Sequence, residues 1–93
     1  MKEKEIQKKI IEYLNRNGAY NIKSIVTNRS GSPDVICCFK GLFIALEVKT
    51  EKGVVSKLQE YHQKEIIKSG GIALIVKSVD EVKALIESLK DKE

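Results

Sequence analysis

The sequence has little that would serve a membrane, a disulfide framework or a base-stacking surface. No apolar run approaches the roughly 20 residues of a membrane span, and the charged opening, residues 1–5, is not typical of a signal peptide. The two cysteines, Cys37 and Cys38, are adjacent, so on a strand they would point to opposite faces and form neither an ordinary disulfide nor a CxxC metal site. The tyrosines are too dispersed for a stacking platform. We therefore expect a cytoplasmic protein with free thiols and no membrane partner.

The bulk composition is that of an ordinary globular protein. Of the 93 residues, 42% are hydrophobic and 32% are charged. This length predicts a single domain, 1–93, with one modest core and little area left for a separate binding module. The net charge of +4 suits an anionic partner, but the lysines are interspersed with glutamates and favour nucleic acid only slightly. Any functional site must therefore lie on the core fold itself.

The first half of the chain predicts a helix followed by three strands. Apolar residues recur at helical spacing between residues 2 and 17, and Gly18 follows as a C-terminal cap. The β-branched run 22–27 predicts a strand that ends in the turn-rich stretch 28–33. Apolar runs at 35–39 and 42–48 are separated only by Lys40-Gly41, which is typical of a β-hairpin.

The second half predicts helix, strand and helix. Ser56 to Gln59 has the form of a capping box and opens a helix that runs to about Ser69, before Gly70-Gly71. The run 72–76 predicts a buried strand, and Ser78 to Glu81 predicts a second capping box at the start of the last helix. The fold class is therefore α/β, a mixed α+β arrangement in which helices flank a mixed sheet of three or four strands.

The predicted hairpin brings two carboxylates together. If Lys40 and Gly41 form a two-residue turn, Phe39 pairs with Leu42, and continuing this register places Asp34 opposite Glu47. Directly opposed residues have Cβ atoms about 4.5 to 5.5 Å apart, so two carboxylates there repel each other unless a cation lies between them. Lys49 would share that face by strand alternation. A three-residue turn would shift the register by one residue and weaken this inference.

Two facing carboxylates indicate a divalent metal. Mg²⁺ takes one or two protein carboxylates and keeps positions for water and substrate phosphate, which suits hydrolysis of a phosphodiester. Lys49 could position the attacking water or stabilise the developing negative charge. The alternative is that Asp34 caps the turn after Pro33, while Glu47 and Lys49 are ordinary solvent-facing strand residues.

Three further side chains could support this site. The helical phase places Glu3 toward the apolar face of the first helix and Glu5 on the opposite side, so Glu3 is a candidate third carboxylate. The alternative is that Glu3 only favours the helix dipole in a frayed first turn. Gln59 is the N3 member of the capping box and could also face the site. We interpret His62 as a partly buried helix residue rather than a metal ligand.

These motifs together resemble a known nuclease family. The segments 31–34 (Gly-Ser-Pro-Asp), 47–49 (Glu-Val-Lys) and 56–59 (Ser-Lys-Leu-Gln) resemble the PD-(D/E)xK superfamily, and more narrowly the VRR-Nuc family of viral replication and repair nucleases. The likeness covers nearly the whole chain, including the early Glu3 and the Gly-Gly before the last strand. It implies a restriction-endonuclease-like α-β-β-β-α-β core with a C-terminal helix.

The resemblance also implies a site and an activity. Mg²⁺ or Mn²⁺ would be held by Asp34, Glu47 and the main-chain carbonyl of Val48, with Glu3 as a further ligand. Lys49 would assist the nucleophile and Gln59 would support the site. Stand-alone domains of this size resemble phage-encoded endonucleases that cut branched DNA such as Holliday junctions or flaps. The alternative is a non-catalytic DNA-binding or scaffolding module with the same fold.

Substrate size predicts a homodimer. One small domain offers one site and too little surface to grip two duplex arms, whereas a two-fold dimer doubles both. Ser56, Lys57 and Lys52, near the expected edge of the active site, are candidates for contacts with DNA. The alternative is that these lysines are only solvated surface residues.

Overall fold

Three helices and four strands follow one another in the order that the sequence predicts. The computed structural model describes residues 1–91. Its elements are α1 (Glu3–Arg16), β1 (Tyr20–Lys23), β2 (Val35–Phe39), β3 (Leu42–Val48), α2 (Lys57–Lys68), β4 (Ile72–Val76) and α3 (Val79–Lys90). No helix among the described residues is both long and apolar enough to cross a membrane.

The four strands form one mixed sheet with the order β1-β2-β3-β4. The first three strands are antiparallel neighbours, whereas β3 and β4 run parallel. A parallel pair needs a crossover connection, and α2 provides it. The predicted mixed sheet is therefore confirmed, and β3, which carries Glu47, lies between two neighbouring strands.

The hairpin forms with the predicted register. Lys40 and Gly41 have φ angles of 52° and 79°, the left-handed values of a type I′ turn. Phe39 then pairs with Leu42, and the ladder continues to the pair of Val35 with Leu46. The two-residue turn thus determines the face of the sheet to which each residue of β3 points.

One face of the sheet carries the core. Cys37 and Ile44 form a pair on this face and are buried, while the neighbouring Cys38 is exposed on the other face, as expected for adjacent strand residues. The helices α1 and α3 belong to this core through fully buried side chains, among them Leu14 and Ile86. The opposite face is only partly covered, because His62 is the one buried residue of α2.

Strand β1 differs from the prediction at both ends. The expected strand 22–27 instead begins at Tyr20 and ends at Lys23, which pairs with Val35. Ser24 still donates its N–H to the carbonyl of Asp34 at 2.8 Å, but the next residue of the facing strand is Pro33, which has no N–H to continue the ladder. Residues 24–34 therefore form a connecting loop.

Two other expectations are wrong in part. Strand β4 is not buried throughout, because it is the edge of the sheet and Leu74 and Ile75 are each 37% exposed. At the start of α3 the Ser78 hydroxyl accepts the N–H of Glu81, as expected. The Glu81 carboxylate, however, accepts the N–H of Lys77 rather than that of Ser78, so the second capping box is only half formed.

The turn offers a test of the hairpin geometry. Replacing Lys40 by Asn should raise the free energy of unfolding by about 0.5 to 1 kcal/mol, because Asn tolerates the left-handed region better than Lys. Urea denaturation monitored by circular dichroism measures this. Lys40→Val is the opposite control, since a β-branched residue is strained at positive φ and should lower stability. Equal stabilities of the two variants would contradict the assigned turn.

Candidate active site

Asp34 reaches β3 from the end of the connecting loop. Its N–H donates to the carbonyl of Leu46 at 3.1 Å, although Leu46 is already the partner of Val35. Asp34 and Val35 therefore both lie opposite Leu46. This arrangement is a β-bulge, which changes the direction of a side chain. The Asp34 Oδ2 atom accepts the N–H of Val48 at 2.8 Å. The regular ladder thus stops one pair short of the predicted pairing, and a side-chain hydrogen bond brings Asp34 to the end of β3.

Glu47 is a buried carboxyl group beside Asp34. It is 4% exposed, and burial is the main cause that raises the pKa of Glu47 to about 8. The negative charge of Asp34 and a hydrogen bond between the two carboxyl groups raise this pKa further, whereas Lys49 lowers it. The two carboxyl groups therefore lie close together, as the sequence predicts. When both carboxyl groups are ionised, a cation is needed between them to offset their repulsion.

Gln59 both caps α2 and contacts Glu47. Its Nε2 atom donates to Glu47 Oε2 at 2.9 Å, and its Oε1 atom accepts the N–H of Ser56 at 2.9 Å. The Ser56 hydroxyl in turn accepts the N–H of Gln59 at 3.1 Å, which completes the predicted capping box. Since the amide is held at both ends, the start of α2 fixes the orientation of the Glu47 carboxylate.

Lys49 lies on the same face, with its Nζ atom 3.8 Å from Glu47 Oε2 and its side chain 13% exposed. Its main-chain N–H bonds to the carbonyl of Val76 at 3.0 Å, which anchors the residue to β4. Gly53 packs against its stem, since a Cβ atom added there would lie 3.1 Å from Lys49 Cβ. Sequence reasoning missed this role of Gly53, and a glycine in the short loop after Lys49 was the available signal.

The donor atoms fit a small, hard divalent cation. Within residues 1–91 the Val48 N–H bonds to Asp34 Oδ2 and the Gln59 amide bonds to Glu47 Oε2, and a divalent metal would take the place of the hydrogen bond between the two carboxyl groups. The main-chain N–H and C=O of one strand residue point toward the same neighbouring strand. The Val48 carbonyl is therefore directed to the side on which its N–H meets Asp34. Such oxygen sets suit Mg²⁺ and Mn²⁺.

The charge of Glu3 reaches Glu47, but no third carboxylate completes the cluster among the described residues. In the described part of the chain no three His, Cys, Asp or Glu side chains lie close enough to hold a metal together. Glu3 is half-buried and its charge contributes to the raised pKa of Glu47, whereas Glu5 is exposed. Ligation by Glu3 therefore stays a prediction. Gln7, one turn further on, is buried on this helix and was not singled out from the sequence.

The candidate DNA-contacting residues lie around the start of α2. Ser56 caps that helix with its hydroxyl group, and the side chains of Lys52 and Lys57 are exposed. Contacts between these residues and DNA stay predictions. His62 is buried, and its Nε2 atom is 2.8 Å from the carbonyl oxygen of Ser30. It is therefore part of the support of the connecting loop.

The buried carboxylate predicts a dependence of stability on pH. Because the pKa of Glu47 is about 8 in the folded chain and 4.5 is its ordinary value, the folded state binds this proton more tightly. The free energy of unfolding should therefore fall as the pH rises between these two values. Without divalent metal, Glu47→Gln should be more stable than the unmodified chain at about pH 9, by at least about 1 kcal/mol. Near about pH 4 the two should be alike.

Thermal melts in EDTA measure this difference, which corresponds to roughly 4 to 8 °C or more for a domain of this size. Glu51→Gln is the matched control, because Glu51 is exposed in the neighbouring loop and its neutralisation should change little. A Glu47→Gln variant that is less stable than the unmodified chain at alkaline pH would contradict the charge repulsion.

Comparison with known proteins supports one family. No family model and no curated protein matches the sequence. A solved structure described as a VRR_NUC domain matches with a TM-score of 0.79 and 29% identity, covering 91% of this chain and 94% of its own. A second, described as a VRR_NUC domain protein, has a TM-score of 0.78 and 18% identity over 95% and 87% of the two chains, and shows the shared fold. Together with the motif residues assembled above, this similarity supports the VRR-Nuc family and a nuclease-type function for the chain.

Proposed function

We propose that this chain is a Mg²⁺- or Mn²⁺-dependent endodeoxyribonuclease that hydrolyses phosphodiester bonds in branched DNA. The observation that carries the proposal is the pair of carboxyl groups formed by the half-buried Asp34, just before β2, and the buried Glu47, near the end of β3. The Glu47 pKa is raised to about 8, so the pair favours a bound cation. Similarity to VRR_NUC domains supports a nuclease.

The chain's own residues would prepare the site for hydrolysis. When bound, the divalent metal supplies Lewis acidity and a water molecule of lowered pKa. Asp34 is held by the N–H of Val48, and Glu47 by the amide of Gln59, so neither carboxylate has to reorganise when a metal binds. The Lys49 ammonium group, beside Glu47, would orient the attacking water or stabilise the negative charge that develops on the phosphate.

The open face of the sheet supports a homodimer. Tyr20 pairs with Cys38, and Cys38 pairs with Phe43, so the three side chains form a row across β1, β2 and β3 on one face. We call this row the apolar row. Tyr20 is 71% exposed and Phe43 is 46% exposed. Strand alternation puts Glu47 on the same face, so a second copy that covered the row would bring two active sites into one assembly.

A non-catalytic DNA-binding or scaffolding module is the second candidate. Such a module would need no carboxylate pair and no ammonium group beside it. The presence of Asp34, Glu47 and Lys49 in one cluster favours the enzyme, and a nicking assay separates the two functions.

Supercoiled plasmid gives the direct test of metal-dependent cleavage. With Mg²⁺ or Mn²⁺ the unmodified chain should nick the plasmid, and EDTA should stop the reaction. Asp34→Asn, Glu47→Gln and Lys49→Met should each lower the rate about 100-fold or more, because each removes charge from the reacting centre. Gln59→Leu should lower it about 10- to 100-fold through loss of the Glu47 orientation. Gel electrophoresis measures the rate, and a mobility-shift assay with metal omitted checks that DNA binding persists.

Matched surface variants control these measurements. Lys64→Met removes an exposed lysine of α2 and should leave the rate unchanged. Glu3→Gln should impair cleavage more than Glu5→Gln, because only Glu3 contributes to the electrostatic environment of Glu47. Equal effects of the Glu3 and Glu5 substitutions would remove Glu3 from the site. Near-normal nicking by Asp34→Asn would refute the metal assignment.

Light scattering tests the homodimer and its role. The unmodified chain should have about twice the chain mass of 10.5 kDa, and Tyr20→Glu should shift it toward the monomer by placing charge in the apolar row. Four-way or flapped DNA should be cut faster than a linear duplex of the same length. A monomer that cuts linear and branched DNA equally well would contradict the dimer and the branched substrate but not the metal site.

A further inference from the structure

The loop between β1 and β2 presents two apolar side chains to solvent beside the candidate site. Ile25 is 84% exposed and Val26 is 89% exposed. Both are β-branched, and both lie just after the point where β1 ends. Adjacent, strongly exposed aliphatic side chains form a small apolar patch, and such patches are used as contact sites for partners. We call these two residues the loop tip.

The remainder of the loop is held in place from several sides. The hydroxyl groups of Thr27 and Ser32 lie 2.7 Å apart, and the Thr27 hydroxyl also donates to the carbonyl of Arg29 at 2.7 Å. His62 contacts the carbonyl of Ser30 at 2.8 Å. Gly31, at a φ of 79°, lies so close to Leu58 that an added Cβ atom would be 2.7 Å from Leu58 Cγ. The loop is therefore packed against α2 with its tip directed outward.

The loop tip adjoins the metal site. Ile25 and Val26 line a cavity of about 420 Å³ together with Asp34 and Gln59. The N–H of Ser24 is bonded to the carbonyl of Asp34 at 2.8 Å, so the loop and the carboxylate are connected directly. A ligand that reaches Asp34 through this cavity would meet the loop tip.

Charge around the loop tip indicates a nucleic acid as the occupant. The exposed side chains of Lys23 and Arg29 flank it along the chain and can contact phosphate groups. The apolar row, which we assigned to a second copy, has no charged member. A partner with apolar faces and an anionic backbone matches this combination. A DNA strand with unpaired or weakly stacked bases has both features.

We propose that Ile25 and Val26 form a wedge that enters the DNA at its branch point and packs against an exposed base next to the phosphate to be cut. Apolar side chains inserted between base steps unstack them in other DNA-binding proteins, at a cost of a few kcal/mol per step. That cost is least where bases are already unpaired, as at a branch. The wedge thus distinguishes branched from linear DNA without reading sequence, and it rests on the nuclease function proposed above.

A fluorescence experiment tests the wedge without cleavage. In an Asp34→Asn background, flapped DNA carrying 2-aminopurine at the branch should brighten on binding, because unstacking relieves its quenching. The double substitution Ile25→Ser and Val26→Ser should abolish most of this rise, and Ile25→Leu should preserve it. Ile67→Ser is the matched control, since Ile67 is 57% exposed on α2, away from the loop.

Cleavage by the otherwise unmodified chain gives the second readout. The double serine variant should lose about tenfold or more of its preference for flapped over linear DNA, because no apolar side chain is left to pack against the exposed base at the branch. Its rate on linear DNA should change less than about twofold, because the substitutions leave the metal site intact.

Three outcomes would overturn the wedge. These are an unchanged fluorescence rise in the double variant, no rise with the original loop, or a change from dimer to monomer on substitution, which would make the loop tip a protein interface. If the unmodified chain cuts no DNA with either metal, the nuclease function fails, and the fluorescence result still decides the wedge.

Discussion

The repulsion between a buried and a half-buried carboxyl group is the constraint on which the site depends. Glu47 is largely excluded from water and lies beside Asp34, and burial, followed by the charge of Asp34, raises the pKa of Glu47 to about 8. A polypeptide selected only for stability would place apolar residues there. Gln59, the Val48 N–H and Lys49 each offset part of the repulsion. A divalent cation would offset the remainder, so the proposed binding of metal and the cost of the metal-free carboxylate pair would have the same cause.

Each element of the fold holds one component of this arrangement. The type I′ turn at Lys40-Gly41 sets the register that brings the start of β2 beside the end of β3. The capping box of α2 places Gln59 over Glu47, and β4 anchors the main chain of Lys49. Because α1 and α3 cover the opposite face and α2 covers the face of Glu47 only in part, some of that face is left accessible.

The exposed apolar surface has two parts with different surroundings, the apolar row and the loop tip. The apolar row crosses three strands and has no charged member, which suits contact with a second copy. The loop tip lies beside the candidate metal site, between Lys23 and Arg29 in the chain, which suits contact with DNA. Dimerisation and recognition of a branch are thus proposed for separate surfaces of one small fold, so substitutions can perturb them independently.

Short-range signals in the sequence determined α1, the hairpin, the capping box of α2 and the association of Asp34, Glu47 and Lys49. Helical periodicity, a two-residue turn and serine caps act over a few residues, so their outcome does not require knowledge of distant partners. Only the tertiary structure decided the bulge at Asp34, the early end of β1, the edge position of β4 and the packing of Gly53 against Lys49. It also placed Glu3 near Glu47 without completing a three-residue cluster in the described chain. These features depend on the path of the loops and on how the strands pair, which the local patterns of single elements do not encode.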